Sequence, residues 1–276
     1  YEAGTLGRAA PPPALQFLRV ALSGSRIEFR RLSQFLRTWA FAAWAHTVFW
    51  IAAPLTWLLV ALVPGPRRRW KLARGAAAMV LGLLGMRPRV DGAEGSWPAG
   101  PFVLVSNHAS YIDGVLAQAF LPPRFSYVIK GEVQNVPVAG FLLRRIGSKF
   151  VERFNVSGSA RDARSLMKAA SAGESLAFFP EGTFVKEPGL GKFRAGAFAA
   201  AINAGVPVVP VVINGSRKIL PAGTILPRHG HLQIEILNPI DRNEAAWDNS
   251  RQLAELARQK ILEVLDEPDL VSIAAQ

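Results

Sequence analysis

Between Trp39 and Val63 the chain runs for 25 residues without a formally charged side chain at neutral pH, and no other stretch restricts its folding as much. A helix of roughly 20 apolar residues crosses the hydrocarbon core of a bilayer, so such a run belongs in a membrane or deep inside a protein. Pro54 falls within it and reads as an interruption, and Pro64-Gly65-Pro66 closes it. A second apolar run, Gly75 to Met86, has 12 residues and is too short for a straight span. Both flanks are basic, with Arg26, Arg30, Arg31 and Arg37 before and Arg67, Arg68, Arg69, Lys71 and Arg74 after. Topology normally follows an asymmetry of flanking Lys and Arg, and none exists here. The expected arrangement is therefore a helical hairpin dipping into a membrane from one side, ranked above a true span and above a plain buried helical pair.

The stretch from Arg26 to Trp39 supports the same reading. Arg26, Arg30, Ser33, Gln34 and Arg37 recur at helical spacing, and Phe29, Leu32, Phe35, Leu36 and Trp39 recur on an offset stripe. That pattern suits a basic amphipathic helix lying in an interface, with an ordinary surface helix packed on a core as the alternative. The formal charge of +12 is concentrated here: residues 1–100 hold 13 Lys and Arg against 4 Asp and Glu, residues 101–276 19 against 16. Positive charge beside apolar runs favours anionic lipid headgroups over nucleic acid, and no nucleic-acid-binding signature occurs. Membrane lipids are the expected partners, and the cytoplasmic face of a membrane the expected location. With no cysteine in the chain, disulfide scaffolds, thiolate metal sites and cysteine nucleophiles are excluded. The chain opens on Tyr1 and reads as a processed or trimmed piece.

After Asp91 the texture changes. Short β-branched runs at Phe102–Val105, Phe125–Ile129, Lys149–Val151, Ser175–Phe179, Val206–Ile213 and Leu232–Leu237 predict strands, and Gly114–Phe120, Pro137–Ile146, Ser159–Ala172 and Ala195–Ala204 predict helices. This alternation predicts an α/β fold, a largely parallel sheet flanked by helices and preceded by an N-terminal membrane-docking helical segment. The expected division is residues 1–95 for the membrane-associating helices and 96–276 for the α/β domain.

The first strand ends in Ser106-Asn107-His108-Ala109-Ser110-Tyr111-Ile112-Asp113. Sites in open α/β sheets gather beyond the carboxyl ends of strands. On one continuous helix, His108 and Asp113 would be separated by about 140° of arc and could not meet. With Ser110 as an N-cap, Asp113 sits at the third helical position, where its carboxylate folds back toward the loop holding His108. It would then fix the imidazole tautomer and leave the other nitrogen free to take a proton. Read alone, the same residues also describe a helix cap beside an ordinary loop histidine.

The remaining blocks separate these readings, because together the chain resembles the glycerolipid acyltransferase family typified by 1-acyl-glycerol-3-phosphate acyltransferases. Residues 107–113 match that family's NHxSxxD block. Lys130, Glu132, Pro137 and Gly140, followed by Gly147-Ser148-Lys149-Phe150-Val151-Glu152-Arg153, match the second, and Phe179-Pro180-Glu181-Gly182-Thr183 matches FPEGT. Val206-Pro207-Val208-Val209-Pro210-Val211 matches the fourth, an apolar strand around a proline. The four stand in order across about 110 residues. The resemblance implies His108 and Asp113 as the catalytic pair and the FPEGT block as part of the acceptor site.

Each block also has a physical reading. Arg153 offers a bidentate fork for phosphate, or a surface ion pair with Glu152. Gly182 and Thr183 form a turn whose N–H groups and hydroxyl suit an anion, or simply end a strand. Glu181 is awkward beside a phosphate, since like charges repel, and is expected to orient Arg153 or the acceptor hydroxyl. Lys130 is a phosphate contact or a solvated strand-end charge. One departure stands out: many phosphatidate-forming relatives carry Arg after EGT, where this chain has Phe184.

The expected function is transfer of an acyl group from an acyl-CoA or acyl carrier protein thioester to a lysophospholipid hydroxyl, foremost 1-acyl-glycerol-3-phosphate to give phosphatidate. His108 is the base, and no cofactor or metal is involved. Another hydroxylated lysolipid or a lipoamino-acid acceptor is the alternative, and a non-catalytic membrane-docking protein a more distant one. A serine hydrolase would need a GxSxG elbow, and none occurs. His46, His229 and His231 show no ligand spacing with carboxylates.

Overall fold

The computed structural model describes residues 13–92, 97–121, 125–151 and 156–273, with side chains described from residue 31 onward and not for 156–163. Helix α1 (Pro13–Leu62) passes through Pro54 without a break. This corrects the expected interruption. Pro54 forfeits only the bond to the carbonyl of Trp50, and it stands on the exposed side of the helix. Helix α2 (Pro66–Leu83) starts on a proline, whose fixed φ suits a first turn, and returns antiparallel to α1. Trp44 Nε1 donates to the Leu83 carbonyl at 3.1 Å at one end of the pair, while Val60 and Ala73 share an apolar cluster at the other.

Burial along α1 is inverted relative to a soluble helix. Small residues, Ala42, Ala45, Val48 and Ala52, face the protein, whereas Trp44, Phe49, Trp50, Ile51, Leu55, Leu58 and Leu62 face outward. In the most apolar window of the segment Arg31–Leu62, only 22 % is buried in the protein itself. Leu32, Phe35, Leu36 and Trp39 are likewise exposed, so this part of α1 is not a surface helix packed on a core. Arg26, Phe29 and Arg30 of the expected amphipathic face lie outside the described side chains.

The α/β layer follows as β1 (Arg89–Asp91), β2 (Val103–Ser106), α3 (Asp113–Phe120), β3 (Phe125–Lys130), α4 (Pro137–Arg145), β4 (Lys149–Val151), α5 (Val156–Ser171), β5 (Ser175–Phe178), α6 (Gly196–Ala204), β6 (Val208–Asn214), α7 (Ser216–Ile219), β7 (Gln233–Ile236), α8 (Ser250–Leu262) and α9 (Leu270–Ile273). The seven strands among the described residues form one sheet in the order β1-β7-β6-β2-β5-β3-β4, parallel except for β6 against β7. Alternate side chains serve opposite layers, as the two-residue period of a strand requires. Leu104, Val209, Val211 and Ile213 join α2 and α3 on one face, while Val103, Val105, Val208 and Val212 join α6 and α8 on the other.

Four of these elements, β1, α7, α8 and α9, were not anticipated. β1 lies before residue 95 yet pairs with β7, so the sheet begins at Arg89. α8 is capped by Asn249, whose side chain accepts the N–H of Arg251 and Gln252, and it buries Leu253, Ala257 and Ile261. Pro210 lies inside central β6, where a missing N–H would usually break a ladder. The β7 partners are Val211 to Asn214, so the gap falls just outside that pairing. The carboxyl ends of β2, β5 and β6 come together at mid-sheet, and the candidate site lies there.

Candidate active site

β2 ends at Ser106, and the residue after it pins the chain to the neighbouring strand. The buried Asn107 side chain pairs with the Ile213 main chain of β6 through both ends of its amide: Nδ2 donates to the carbonyl at 2.9 Å and Oδ1 accepts the N–H at 2.8 Å. His108 is thereby held at the mouth of the sheet. Its Nδ1 lies 2.9 Å from Asp113 Oδ2. Asp113 is fully buried, and the same oxygen accepts the N–H of Ala109 at 2.7 Å and of Ser110 at 2.8 Å. Among the described residues Oδ1 has no hydrogen-bond partner, and three donors converge on Oδ2. A carboxylate facing Nδ1 places the hydrogen there and leaves the lone pair on Nε2, the arrangement of a general base.

The carboxylate folds back as the spacing predicts, from a different helical position. Asp113 is the first residue of α3, after Ile112, and Ser110 is not its cap. Ser110 Oγ instead donates to the Leu220 carbonyl at 2.7 Å, beyond α7, and accepts the Ile112 N–H at 3.3 Å. Residues 110–113 form a turn closed by the Asp113 N–H on the Ser110 carbonyl. The hydroxyl is spent on the tertiary contact.

Aromatic rings wall the imidazole. Phe179 stacks on it with centroids 4.2 Å apart, and Phe184 meets it edge-on at 4.5 Å. Tyr111 packs at right angles against Phe184 at 4.8 Å and is 61 % exposed, while the His108 side chain keeps 18 % of its surface open. Phe184, expected only as a missing cation, is thus a direct neighbour of His108.

After β5 the chain turns sharply, with the Gly182 N–H on the Phe179 carbonyl at 2.9 Å and Gly182 at φ +86°, where a side chain would be strained. Glu181 within this turn points back into the protein. Its Oε1 accepts the His108 N–H at 2.7 Å, and its Oε2 accepts the Gly191 N–H at 2.9 Å. Burial pushes its pKa above the ordinary carboxylate range, opposed by those two main-chain bonds and by His108 and Arg217. Both oxygens are turned to main chain, contacts that the expectation for Glu181 did not include, while Arg153, one of its two expected partners, lies outside the described residues. Thr183 is exposed beside it.

Lys130 ends β3, two strands from β2, with Nζ 3.3 Å from Glu132 Oε1 and both side chains half exposed. Arg153 lies outside the described residues. The structure therefore joins His108, Asp113 and Glu181 directly, sets Gly182 and Thr183 alongside, and keeps Lys130 on the same edge of the sheet at a distance. Asn107, Phe179, Tyr111 and Gly191 were not anticipated as neighbours of the site. The one available signal was an amide side chain immediately before the histidine. Among the described residues no group of three or more His, Asp or Glu side chains could hold a metal ion.

The architecture and the chain both have known counterparts. A family model described as "Acyltransferase" matches residues 87–214. A chloroplastic 1-acyl-sn-glycerol-3-phosphate acyltransferase from Arabidopsis thaliana is 33 % identical over 60 % of this chain and 45 % of its own. A lyso-ornithine lipid O-acyltransferase from Pseudomonas aeruginosa is 32 % identical over 69 % of this chain and 74 % of its own. The chain spans about half the length of the plant and algal relatives it matches. The crystal structure of the 1-acyl-sn-glycerophosphate (LPA) acyltransferase PlsC from Thermotoga maritima superposes with a TM-score of 0.66 at 21 % identity, covering 85 % of this chain and 97 % of that one.

Proposed function

The chain belongs to the glycerolipid acyltransferase family, and from that premise we propose that it transfers an acyl group from a thioester, acyl-CoA or acyl carrier protein, to the hydroxyl of a lysophospholipid, 1-acyl-glycerol-3-phosphate first among them, yielding phosphatidate. The observation that carries this reading is the His108–Asp113 contact at 2.9 Å, with Nε2 left to act. Nε2 takes the proton of the acceptor hydroxyl as its oxygen attacks the thioester carbonyl. The tetrahedral adduct expels the thiolate, which recovers the proton from the imidazolium as free thiol. Asp113 holds the tautomer and stabilises the cation between these steps. The chain has no cysteine to carry an acyl-enzyme, and direct transfer to the acceptor accords with that. Phe179 and Phe184 shield the imidazole from bulk water and fix its plane. Lys130, Gly182, Thr183 and Arg153 are assigned to the acceptor on their positions in the matching blocks. The outward apolar face of α1 supports attachment to a membrane, and we assign it to the cytoplasmic face.

A second reading is favoured by Phe184. Where many phosphatidate-forming relatives carry a cation, this chain places a ring against His108, which suits an acceptor lacking a phosphomonoester, such as the lyso-ornithine lipid named for the Pseudomonas relative. Purified protein given labelled acyl donor and each lysolipid in turn decides between them. The first reading expects lysophosphatidate to be used best and Phe184→Arg to change little. A preference for lyso-ornithine lipid, with lysophosphatidate use rising about tenfold or more in Phe184→Arg, moves the second reading into first place.

A further inference from the structure

We propose that Glu181 is a positioning residue, one that holds the imidazole in place through the His108 main chain and does not bind the acceptor. The inference rests on the reading of His108 as the base. Three successive N–H groups, those of His108, Ala109 and Ser110, point into a concavity of the kind that collects anions. Two carboxylates of the protein fill it, with Glu181 taking the first N–H and Asp113 the other two. These groups are spent on structure, and Glu181 is one half of what they hold.

The other arm of Glu181 gives the clamp its stiffness. Oε2 accepts from Gly191, where an added Cβ would come within 3.0 Å of that oxygen, so the close approach uses the absence of a side chain. The segment around Gly191 is braced from behind. Arg258 Nε donates to the Gly191 carbonyl at 3.0 Å, the Leu190 N–H reaches the Pro268 carbonyl at 2.8 Å, and the Gly189 N–H reaches Glu267 Oε2 at 2.8 Å. Glu267 is in turn paired with buried Arg217. Glu181 therefore ties the His108 peptide to the braced loop that follows β5. Asn107 fixes the preceding residue to β6 and Asp113 the two following, and Glu181 acts on the peptide between. Charge-assisted bonds of this type are short and about twice as strong as neutral ones. A displacement of roughly 1 Å at a reacting group can cost about 10²-fold in rate.

Two variants of the full chain test the clamp. Glu181→Gln keeps one acceptor oxygen and turns an NH₂ donor toward a main-chain donor, and Gly191→Ala crowds the second arm without altering the carboxylate. In both, kcat should fall about 10- to 100-fold while acceptor KM stays within about threefold. In ¹⁵N-labelled protein, exchange of the His108 amide hydrogen should speed up by about tenfold or more in both variants, with neighbouring strand amides unchanged. A rise of acceptor KM of about tenfold at unchanged kcat would make Glu181 an acceptor ligand and overturn the proposal. So would unaltered His108 amide exchange in both variants. His108→Ala, run alongside, separates the two levels. Full turnover there would remove the base assignment, while the exchange data would still judge the clamp.

Discussion

At His108 the division of labour between two acids sets what each substitution should do. Asp113 offers one oxygen to an imidazole and two main-chain N–H groups. Asp113→Asn can turn its carbonyl to those donors but carries no charge to stabilise the imidazolium, and its NH₂ is buried where no acceptor is described. We expect kcat to fall roughly 10²- to 10⁴-fold, with a stability loss of about 1–3 kcal/mol, read from initial rates and thermal melting. Glu181 makes a prediction in pH. Its folded pKa is raised above the unfolded value, so the folded state holds the proton more tightly. Its contribution is greatest below the unfolded pKa and declines as pH rises through the raised folded one. The stability of wild type relative to Glu181→Gln should therefore fall as pH climbs out of the ordinary carboxylate range, and denaturant midpoints taken across that range check it. A difference that grows with pH would contradict the sign. The His108–Asp113 contact was legible because both partners sit in one short block. The partners of Asn107 and Glu181 are 106 and 73 residues away, and only folding brings them in.

Among the elements, α1 shows most clearly where a reading from pattern succeeds and fails. Its apolar length was plain, but the direction of its faces was not, because Ala, Trp and Leu all count as apolar whether they meet protein or lipid. The structure turns Ala42, Ala45, Val48 and Ala52 inward together with Phe41 and Trp57, and leaves Trp44, Phe49, Trp50, Ile51, Leu55, Leu58 and Leu62 outward. Replacing Trp50 and Ile51 together by Glu should weaken binding to anionic vesicles by at least about tenfold, since each buried apolar side chain contributes about 1.5–3 kcal/mol. Flotation measures this, and melting should be nearly unchanged because both side chains are exposed in the protein. Wild-type binding should persist in high salt and be enhanced by anionic lipid, because the burial term is unscreened and the charge term is not. Unchanged flotation of the variant would remove α1 as the anchor. Surface substitution is the cleaner test than deleting residues 1–90, which would take Leu81, Met86 and most of β1 out of the core. Within the sheet, the β-branched runs located six strands to within two residues. β1 escaped because a three-residue strand with one apolar side chain has no period to detect, and the reversal of β7 depends on pairing partners that the run itself does not encode.

Across the whole molecule, the C-terminal segment braces a site formed by elements far earlier in the chain. Arg217 and Glu267 are paired at 2.9 Å with little exposure, and Arg258 joins Gly191 to Asp269. Breaking the first pair with Glu267→Ala strands a buried guanidinium, which typically costs about 3–5 kcal/mol. The melting temperature should drop by several degrees, and kcat should fall with it because the Gly189–Gly191 segment loses its support. Nothing in the FPEGT block announces this dependence, since α8 and the residues after it match none of the four blocks. The fold class could be read from alternation and the site from its blocks, whereas the bracing exists only in three dimensions. The central claim is that His108 takes the acceptor proton for direct acyl transfer to a lysolipid. Thiol release from an acyl thioester, CoA or carrier protein, in the presence of 1-acyl-glycerol-3-phosphate tests it most directly. Release should require the acceptor and should fall roughly 10²- to 10⁴-fold in His108→Ala at unchanged melting temperature; wild-type turnover by a folded His108→Ala protein would contradict it.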